Sequence, residues 1–281
     1  MLLRAFAKIN LDLRILGKRA DGFHEVFTVL QTIDWFDELE ITPAREFIFV
    51  ASAGPQDDSN LVVRAVRAFE GGSGIAVRAK IELKKYIPSG AGLGGGSSDA
   101  AVTFLGLQQF YGVSLAPDLL RPLGSDVPFF AHGGQCVGRG RGDEVELLAD
   151  DPEAAKYHIV LVQPRVAVST AEAYSWLTLP DKSNTIEGFR AQFVPDRGHA
   201  QVLNDFERPV FARYPELREI RDNLLRKGAF RAALSGSGSV VFGQFRDRAE
   251  AEVAAAELSG RYPVKLASPL LRMDYLRRVF G

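Results

Sequence analysis

The clearest pattern along the chain is an alternation of apolar and polar residues between positions 75 and 84. Charged residues separate the apolar ones from Val77 onward. A period of two predicts a strand with one buried face. Looser alternation predicts four further strands before this one, at 2–16, 23–33, 39–41 and 47–50.

Two helices are predicted in the same half of the chain. Asn60 is a candidate N-cap for a helix that runs to about Phe69 and is ended by the glycine-rich residues 71–74. A second helical pattern begins at Ser98, and Gly112 supplies a stop. Glycine just after the last periodic residue is a common helix end.

A charged segment at 150–156, which contains Pro152, separates this half from the next. We therefore predict two domains, an N-terminal domain of residues 1–153 and a C-terminal domain of residues 154–281. The second half mixes predicted helices and strands, which favours an α+β fold in both halves. The helices lie near 171–177, 215–227 and 248–258, and the strands near 157–162, 232–234, 240–245 and 264–267.

Composition narrows the class of protein. The 281 residues carry a formal charge of -1, and a nucleic-acid-binding protein would usually show a basic excess. No apolar run is long enough to cross a bilayer, and residues 1–10 carry charges where a signal peptide needs an apolar core. Cys136 is the single cysteine, which excludes an intramolecular disulfide and a cysteine-based zinc site. We expect a cytoplasmic protein that acts on a small molecule, with no nucleic-acid or membrane partner.

A glycine-rich loop lies between the alternating strand and the second helix. Five of the nine residues from Gly90 to Ser98 are glycine, and Pro88 precedes them. Glycine lets backbone N–H groups approach an anion, and the following helix adds unpaired N–H groups and a positive dipole end. This combination predicts a polyphosphate site, where Ser97 and Ser98 could bind phosphate or Mg²⁺. The chain has no Gly-Lys-Ser or Gly-Lys-Thr, so the loop is not a Walker A motif.

Other candidate residues each have an ordinary structural explanation when taken alone. Lys8 could be a strand residue whose charged end reaches solvent, Phe23 a core residue and His24 a surface residue. Asp126 could be a turn or helix N-cap residue. Phosphoryl transfer needs a proton acceptor for the attacking hydroxyl and positive charge on the phosphates. An aspartate beside a lysine meets both needs.

The order of these segments resembles a known family. Residues 88–101, PSGAGLGGGSSDAA, resemble the ATP-binding signature of the GHMP kinases, which include galacto-, homoserine, mevalonate and phosphomevalonate kinases. Three glycines before two serines resemble one branch, the diphosphocytidyl-methylerythritol kinases. Further segments are similar to that branch over nearly the whole chain, although Phe23 stands where tyrosine is usual. They are 7–13, 17–25, 123–130, 168–174, 204–207 and 234–242.

The resemblance implies a GHMP kinase fold, with an N-terminal domain like ribosomal protein S5 domain 2 and a ferredoxin-like C-terminal domain. It implies ATP-dependent phosphorylation of the 2-hydroxyl of 4-diphosphocytidyl-2-C-methyl-D-erythritol, in the non-mevalonate pathway to isoprenoids. Lys8 and Asp126 would be catalytic, with Asp126 as the base. ATP would be the co-substrate, Mg²⁺ is expected with it, and no protein ligand for the metal is implied.

The resemblance also assigns binding residues. Those for ATP would be Pro88, Ser89, Gly90, Ala91, Gly92, Leu93, Gly94, Gly95, Gly96, Ser97 and Ser98. Those for the substrate would be Asn10, Phe23, His24, Thr170, Gly236 and Ser237. An aromatic ring and a histidine would together hold the cytosine.

Three alternatives remain open at this point. Another GHMP kinase, such as a homoserine or mevalonate kinase, would share the loop, but the Asp-Gly-Phe-His segment at 21–24 and the triple glycine speak against it. A nucleotide-binding regulator would bind ATP without turnover and would not need Lys8 and Asp126 to face each other. A decarboxylase of the same fold would use ATP and release CO₂.

Overall fold

The structure is a computed structural model that describes residues 1–178 and 204–281. Two β-sheets organise these residues, a six-stranded sheet in the N-terminal half and a four-stranded sheet in the C-terminal half. The α+β arrangement predicted for both halves is confirmed.

A long antiparallel hairpin is the centre of the first sheet. Strands β1 (Leu2–Lys18) and β2 (His24–Pro43) pair over almost their whole length. The other edge of β2 pairs with β4 at one end and with β5 at the other. Strand β3 lies parallel to β4, and β6 lies antiparallel to β5. These shorter strands are β3 Ile48–Ala51, β4 Ala79–Lys84, β5 Gln135–Arg139 and β6 Glu144–Leu147.

The second sheet is antiparallel throughout, with strand order β10-β7-β9-β8. Its strands are β7 His158–Val162, β8 Arg231–Leu234, β9 Val241–Phe245 and β10 Val264–Ala267.

Helices cover both sheets. The α-helices of the described residues are α1 Leu61–Ser73, α2 Gly95–Tyr111, α3 Val127–Phe130, α4 Thr170–Ser175, α5 Glu207–Arg213, α6 Pro215–Arg226, α7 Arg248–Ser259 and α8 Arg272–Val279. The same part of the chain also forms 3-10 helices at Pro117–Leu123 and Ala154–Lys156. Every helix that the structure describes is too short or too polar to cross a membrane.

Among the described residues, three groups of buried apolar side chains form the core. One lies between the first sheet and helices α1, α2 and α8. Another joins the second sheet to α5, α6 and α7. The third lies between the two sheets, where Ile9 and Phe27 of the hairpin meet Leu161 and Phe242 of the second sheet. The sheets therefore share part of their core, and this shared core positions the site described below.

Strand β2 differs from the sequence prediction, which divided it into strands at 23–33 and 39–41. Asp34 and Asp37 interrupt the alternation, but each carboxylate accepts backbone N–H groups from another segment. Asp34 accepts from Ser268 at 2.6 Å, and Asp37 accepts from Ile87 at 2.8 Å. Because these charges have partners, the strand continues through both positions.

Helix α1 was predicted to end before the glycines at 71–74, but it continues to Ser73. Gly74, with φ of 70°, then provides the left-handed end.

Helix α2 begins at Gly95 rather than Ser98, inside the glycine run. Strand β4 begins only at Ala79, because the N–H groups of Val77 and Arg78 bind side chains instead of a neighbouring strand.

Candidate active site

Two buried side chains anchor the glycine loop. Ala91 and Leu93 point into the core between the sheets. Their carbonyl groups accept hydrogen bonds from opposite sides, Leu93 from the N–H of Lys8 at 3.0 Å and Ala91 from the N–H of Val240 at 3.2 Å. The loop is thus tied to β1 of the first half and to the segment before β9 of the second.

A second glycine-rich loop, residues 235–239, packs directly against the first. The hydroxyl of Ser235 donates to the carbonyl of Gly92 at 2.8 Å. A Cβ at Gly92, whose φ is 79°, would lie only 1.9 Å from the carbonyl oxygen of Ser235. Only glycine permits this approach of two backbones at position 92.

The N-terminus of α2 meets the requirements of an anion site. Gly94, with φ of 69°, occupies the N-cap and gives the helix no side-chain cap. The first N–H groups of a helix have no partner within it, and the dipole is positive there. Gly96 in this first turn is exposed, so the backbone is open to a ligand.

The two serines of the loop differ in accessibility. Ser97 is partly exposed, as expected of a phosphate-binding residue. Ser98 is buried, its N–H donates to the carbonyl of Gly94 at 2.9 Å, and its hydroxyl has no partner among the described residues. The helix carries the side chain of Ser98 into the core, and its contact with phosphate or Mg²⁺ stays a prediction.

Lys8 lies in β1 beneath the loop and is 3% exposed. Its Nζ donates to Oδ1 of Asn10 at 2.6 Å and lies 3.4 Å from Oδ2 of Asp126. The amide of Asn10 donates in turn to the hydroxyl of Thr28 at 2.8 Å, and that hydroxyl donates to the carbonyl of Asp12. These bonds fix the ammonium group so that it faces Asp126.

Asp126 stands at the N-cap position of α3, but its side chain caps nothing. The helix has no side-chain cap hydrogen bond, and the carboxylate faces Lys8 instead. Its side chain is 32% exposed, which leaves room for a ligand. Asp126 is thus an N-cap residue by position, as its ordinary explanation predicts, but its side chain does not cap the helix. Phe130 at the end of α3 packs against the loop, since a Cβ at Gly94 would lie 2.9 Å from its ring.

The second half contributes a set of polar groups at the loop 235–239. The hydroxyls of Thr170 and Ser237 are 2.9 Å apart. The amide of Asn204 donates to the carbonyls of Leu234 and Gly236, both at 2.8 Å, and so holds this loop in place. A Cβ at Gly236 would lie 3.4 Å from Oδ1 of Asn10, which places the loop beside Lys8.

Phe23 and His24 lie at the end of the β1–β2 hairpin. Phe23 is 53% exposed, which excludes a core role, and the Arg141 guanidinium lies 4.9 Å from its ring centre. The His24 ring stacks on that of Tyr174, with centroids 4.6 Å apart and an angle of 21° between the planes. Partial burial, with the charge of Lys18, lowers the pKa of His24.

Tyr174 is a site residue that sequence reasoning did not select. Its ring stacks on His24, and burial together with the negative charge of Asp126 raises the pKa of its hydroxyl to about 12. Tyr174 thus packs on the hairpin end and is close enough to Asp126 for that charge to affect its hydroxyl. The segment 168–174 is similar to a family motif, but no signal in it marks the tyrosine.

Comparison with known proteins decides the family. Residues 60–134 match the model of the GHMP kinases N terminal domain, and residues 195–264 match that of GHMP kinases C terminal. The 4-diphosphocytidyl-2-C-methyl-D-erythritol kinase of Solibacter usitatus is 44% identical, and the alignment covers 95% of this chain and 88% of that protein. The enzyme of that name from Prosthecochloris aestuarii is 41% identical over 92% and 94% of the two chains.

The chain belongs to the 4-diphosphocytidyl-2-C-methyl-D-erythritol kinase family.

Solved structures agree with this assignment. A crystal structure of 4-(cytidine 5'-diphospho)-2C-methyl-D-erythritol kinase is 31% identical and superposes with a TM-score of 0.80, covering 96% of this chain and 99% of that one. Homoserine kinase from Cytophaga hutchinsonii, at 18% identity and a TM-score of 0.70, covers 96% and 95% and shows the shared fold. The predicted GHMP kinase fold and the predicted family are confirmed.

Proposed function

We propose that this member of the 4-diphosphocytidyl-2-C-methyl-D-erythritol kinase family transfers the γ-phosphoryl group of ATP to the 2-hydroxyl of 4-diphosphocytidyl-2-C-methyl-D-erythritol. The observation that carries the proposal is the contact of Lys8 Nζ with Asp126 Oδ2 at 3.4 Å, directly beneath the glycine loop. A regulator that only bound ATP would have no use for this contact.

Asp126 is the proposed general base. Its carboxylate is partly exposed and free of capping bonds, so it can accept the proton of the substrate hydroxyl. Lys8 orients this carboxylate, and its ammonium stabilises negative charge on the phosphoryl group in transfer. Asn10 holds Lys8 in position through the 2.6 Å bond to its Nζ.

Residues 88–98 would hold the triphosphate of ATP. The backbone of Gly92 to Gly96 and the start of α2 supply the donors, and the buried side chains of Ala91 and Leu93 keep the loop in shape. Of the two serines, Ser97 is the more exposed, so its hydroxyl would be the one to contact a phosphate oxygen.

The cytosine would bind at the end of the hairpin. The exposed ring of Phe23 offers a stacking surface, and His24 offers ring nitrogens for the polar edge of the base. Tyr174 extends this surface toward Asp126, which suits a substrate with a base at one end and the reacting hydroxyl at the other. Thr170, Gly236 and Ser237 would contact the substrate from the second half.

Mg²⁺ would arrive with ATP. Among the described residues no group of three or more His, Cys, Asp or Glu side chains could hold a metal ion. Mg²⁺ usually keeps several waters and is held by substrate phosphates with one or two protein oxygens. The hydroxyl of Ser97 fits that pattern as an oxygen ligand. Bound Mg²⁺ would neutralise charge on the phosphates.

A coupled assay of ADP release tests the proposal. The acceptors would be 4-diphosphocytidyl-2-C-methyl-D-erythritol, 2-C-methyl-D-erythritol 4-phosphate, homoserine and mevalonate. We expect turnover with the first alone and a new phosphate monoester at its 2-hydroxyl by ³¹P NMR. Preferred turnover of homoserine or mevalonate, or release of CO₂ from an acid substrate, would contradict it. Binding of ATP without turnover of any acceptor would instead support the regulator.

A further inference from the structure

Behind the glycine loop, one largely buried ammonium group joins three segments of the first half. Lys85 follows β4, and its Nζ donates to Oδ2 of Asp37 in β2 and, at 2.6 Å, to Oδ2 of Asp99 in α2. Asp37 and Asp99 are both buried. We call these three residues the Lys85 cluster.

The Lys85 cluster holds both ends of the phosphate loop. At the entry, Oδ1 of Asp37 accepts the backbone N–H groups of Tyr86 and Ile87, which immediately precede Pro88. At the exit, Asp99 is the residue that follows the loop in α2. Lys85 bridges the two carboxylates, so a single group sets the distance between entry and exit.

The cluster lies directly under the first turn of α2. A Cβ at Gly95 would be 3.3 Å from Nζ of Lys85 and 2.9 Å from the side chain of Ile87. The Lys85–Asp99 contact therefore lies at the base of the helix turn whose N–H groups would face the phosphates.

The charges of the cluster are balanced when one carboxyl group keeps its proton. Burial, with the negative charge of Asp37 in addition, raises the pKa of Asp99 to about 8 against the opposing effect of Lys85. Oδ1 of Asp99 has no hydrogen-bond partner in the part of the chain that the structure describes. The hydrogen bond from Lys85 is thus the contact that holds the side chain of Asp99.

We propose that Lys85 and Asp99 are positioning residues for ATP, which fix the first turn of α2 relative to the loop entry without touching the nucleotide. The inference rests on the proposed function, in which residues 88–98 hold the triphosphate. If the bridge is removed, the helix start is free to shift, and the donors no longer converge on the phosphates.

Asp99→Ala is the decisive variant. It leaves Lys85 paired with Asp37, and alanine is the best helix former, so α2 keeps its propensity. By calorimetry we expect ATP to bind about tenfold more weakly, because a hydrogen bond to a charged group is lost at the base of the site. The KM for the cytidylylated substrate should stay within about twofold. Asp99→Asn, whose amide oxygen can still accept from Lys85, should recover most of the ATP affinity.

Thr103→Ala is the matched control. Thr103 lies one helical turn beyond Asp99, is also buried, and its hydroxyl has no partner among the described residues. We expect its ATP affinity to equal that of the unaltered protein. If Asp99→Ala does not fold, Asp99→Ser takes its place, since the shorter side chain cannot reach Lys85.

Three results would overturn the inference. One is unchanged ATP affinity in a folded Asp99→Ala or Asp99→Ser protein. Another is equal loss of ATP affinity in Thr103→Ala, and the third is failure of Asp99→Asn to restore binding. If the unaltered protein itself did not bind ATP, the proposed function would fail and the inference with it, so the two failures are distinguishable.

Discussion

The two side chains at the proposed reaction centre lack the stabilising contacts that are usual for their positions. Asp126 stands where an aspartate normally caps a helix, yet it leaves the helix uncapped and faces an ammonium. Lys8 carries a charge into a nearly buried position, which is costly unless the charge is paired and hydrogen-bonded. Each residue gives up an ordinary stabilising arrangement, and the pair that results suits proton and phosphoryl transfer.

Asp126→Asn should remove the base and preserve the shape of the side chain. We expect kcat to fall by roughly 10²–10⁴-fold, the usual contribution of general acid–base catalysis, and the KM for ATP to change little. Asp118→Asn, a change at an exposed residue of the preceding 3-10 helix, is the control and should leave both constants unaltered. Turnover of Asp126→Asn near that of the control would show that another group accepts the proton.

Phe23→Ala should weaken substrate binding without weakening the fold. The ring is mostly exposed, so its loss removes little buried apolar surface. Stacking of a base on an aromatic ring contributes about 1–3 kcal/mol, so the KM for the cytidylylated substrate should rise about tenfold or more. Phe23→Tyr should retain wild-type constants. A fall in melting temperature with unchanged KM would remove Phe23 from the cytosine site.

His24 should give substrate binding a distinct pH dependence. Its pKa lies below the ordinary value of 6.5, so the ring stays neutral, and able to accept a hydrogen bond, from pH 6.5 down to this lowered pKa. The unfolded chain takes up this proton first, so the contribution of His24 to folding stability is lost as the pH falls from 6.5 through the lowered pKa.

We therefore expect the KM for the cytidylylated substrate to be independent of pH around pH 6.5 and to rise only at lower pH. The KM for ATP should not follow the same curve. His24→Ala should raise the substrate KM at every pH and abolish this rise. Kinetics from pH 5 to 8 in both proteins provide the measurement. A rise that persists in His24→Ala would have to come from another group.

Secondary-structure elements show where sequence patterns suffice. The strand predicted at 264–267 is β10 as observed, and the helix predicted at 215–227 differs from α6 by one residue, since both have regular periodicity and clear ends. The predicted end of α1 is too early, because glycine usually marks a helix end but here lies inside the helix. A Cβ at Gly72 would lie 2.6 Å from the side chain of Leu119, so this glycine serves close packing with the neighbouring 3-10 helix.

The sequence predicts the site only where the site residues belong to short continuous motifs. The loop and the segments that contain Lys8 and Asp126 could be ordered along the chain by resemblance. The stacking of His24 on Tyr174 and the Lys85–Asp37 contact join residues far apart in sequence, 48 positions apart in the second case. No periodicity or spacing predicts such pairs, because they depend on the packing of the sheets. The sequence does not predict short helices such as α5 and α8, because they have no long apolar pattern.

Gly96→Ala separates helix stability from ligand binding at the start of α2. A Cβ here would meet only the side chain of Leu61, at 3.8 Å, and alanine favours helix over glycine. Folding stability should therefore stay constant or rise. Because a Cβ tilts toward the helix N-terminus, the new methyl group would crowd a phosphate bound there, and the KM for ATP should rise about tenfold. Unchanged ATP affinity would place the phosphates elsewhere.

At the scale of the whole molecule, the site depends on how the two halves meet. The glycine loop accepts hydrogen bonds from Lys8 of the first half and from Val240 of the second. Gly236 of the second half approaches the side chain of Asn10, which is hydrogen-bonded to Lys8. A boundary at residues 153 and 154 stays a prediction, but a chain divided there would expose the core between the sheets. Catalysis and cooperative folding should accordingly depend on the same contact.

Phe242→Ala tests this dependence. Phe242 is fully buried in the core that β9 shares with the β1–β2 hairpin, and truncation of a buried phenylalanine costs about 3–5 kcal/mol. If the halves fold as one unit, calorimetry should show a single unfolding transition that moves to lower temperature as a whole. Leu266→Ala, at an exposed position of β10 in the same sheet, is the control and should change stability by no more than about 0.5 kcal/mol. Two separate transitions, with only one of them lowered by Phe242→Ala, would show that the halves fold independently and that the shared core does not join them.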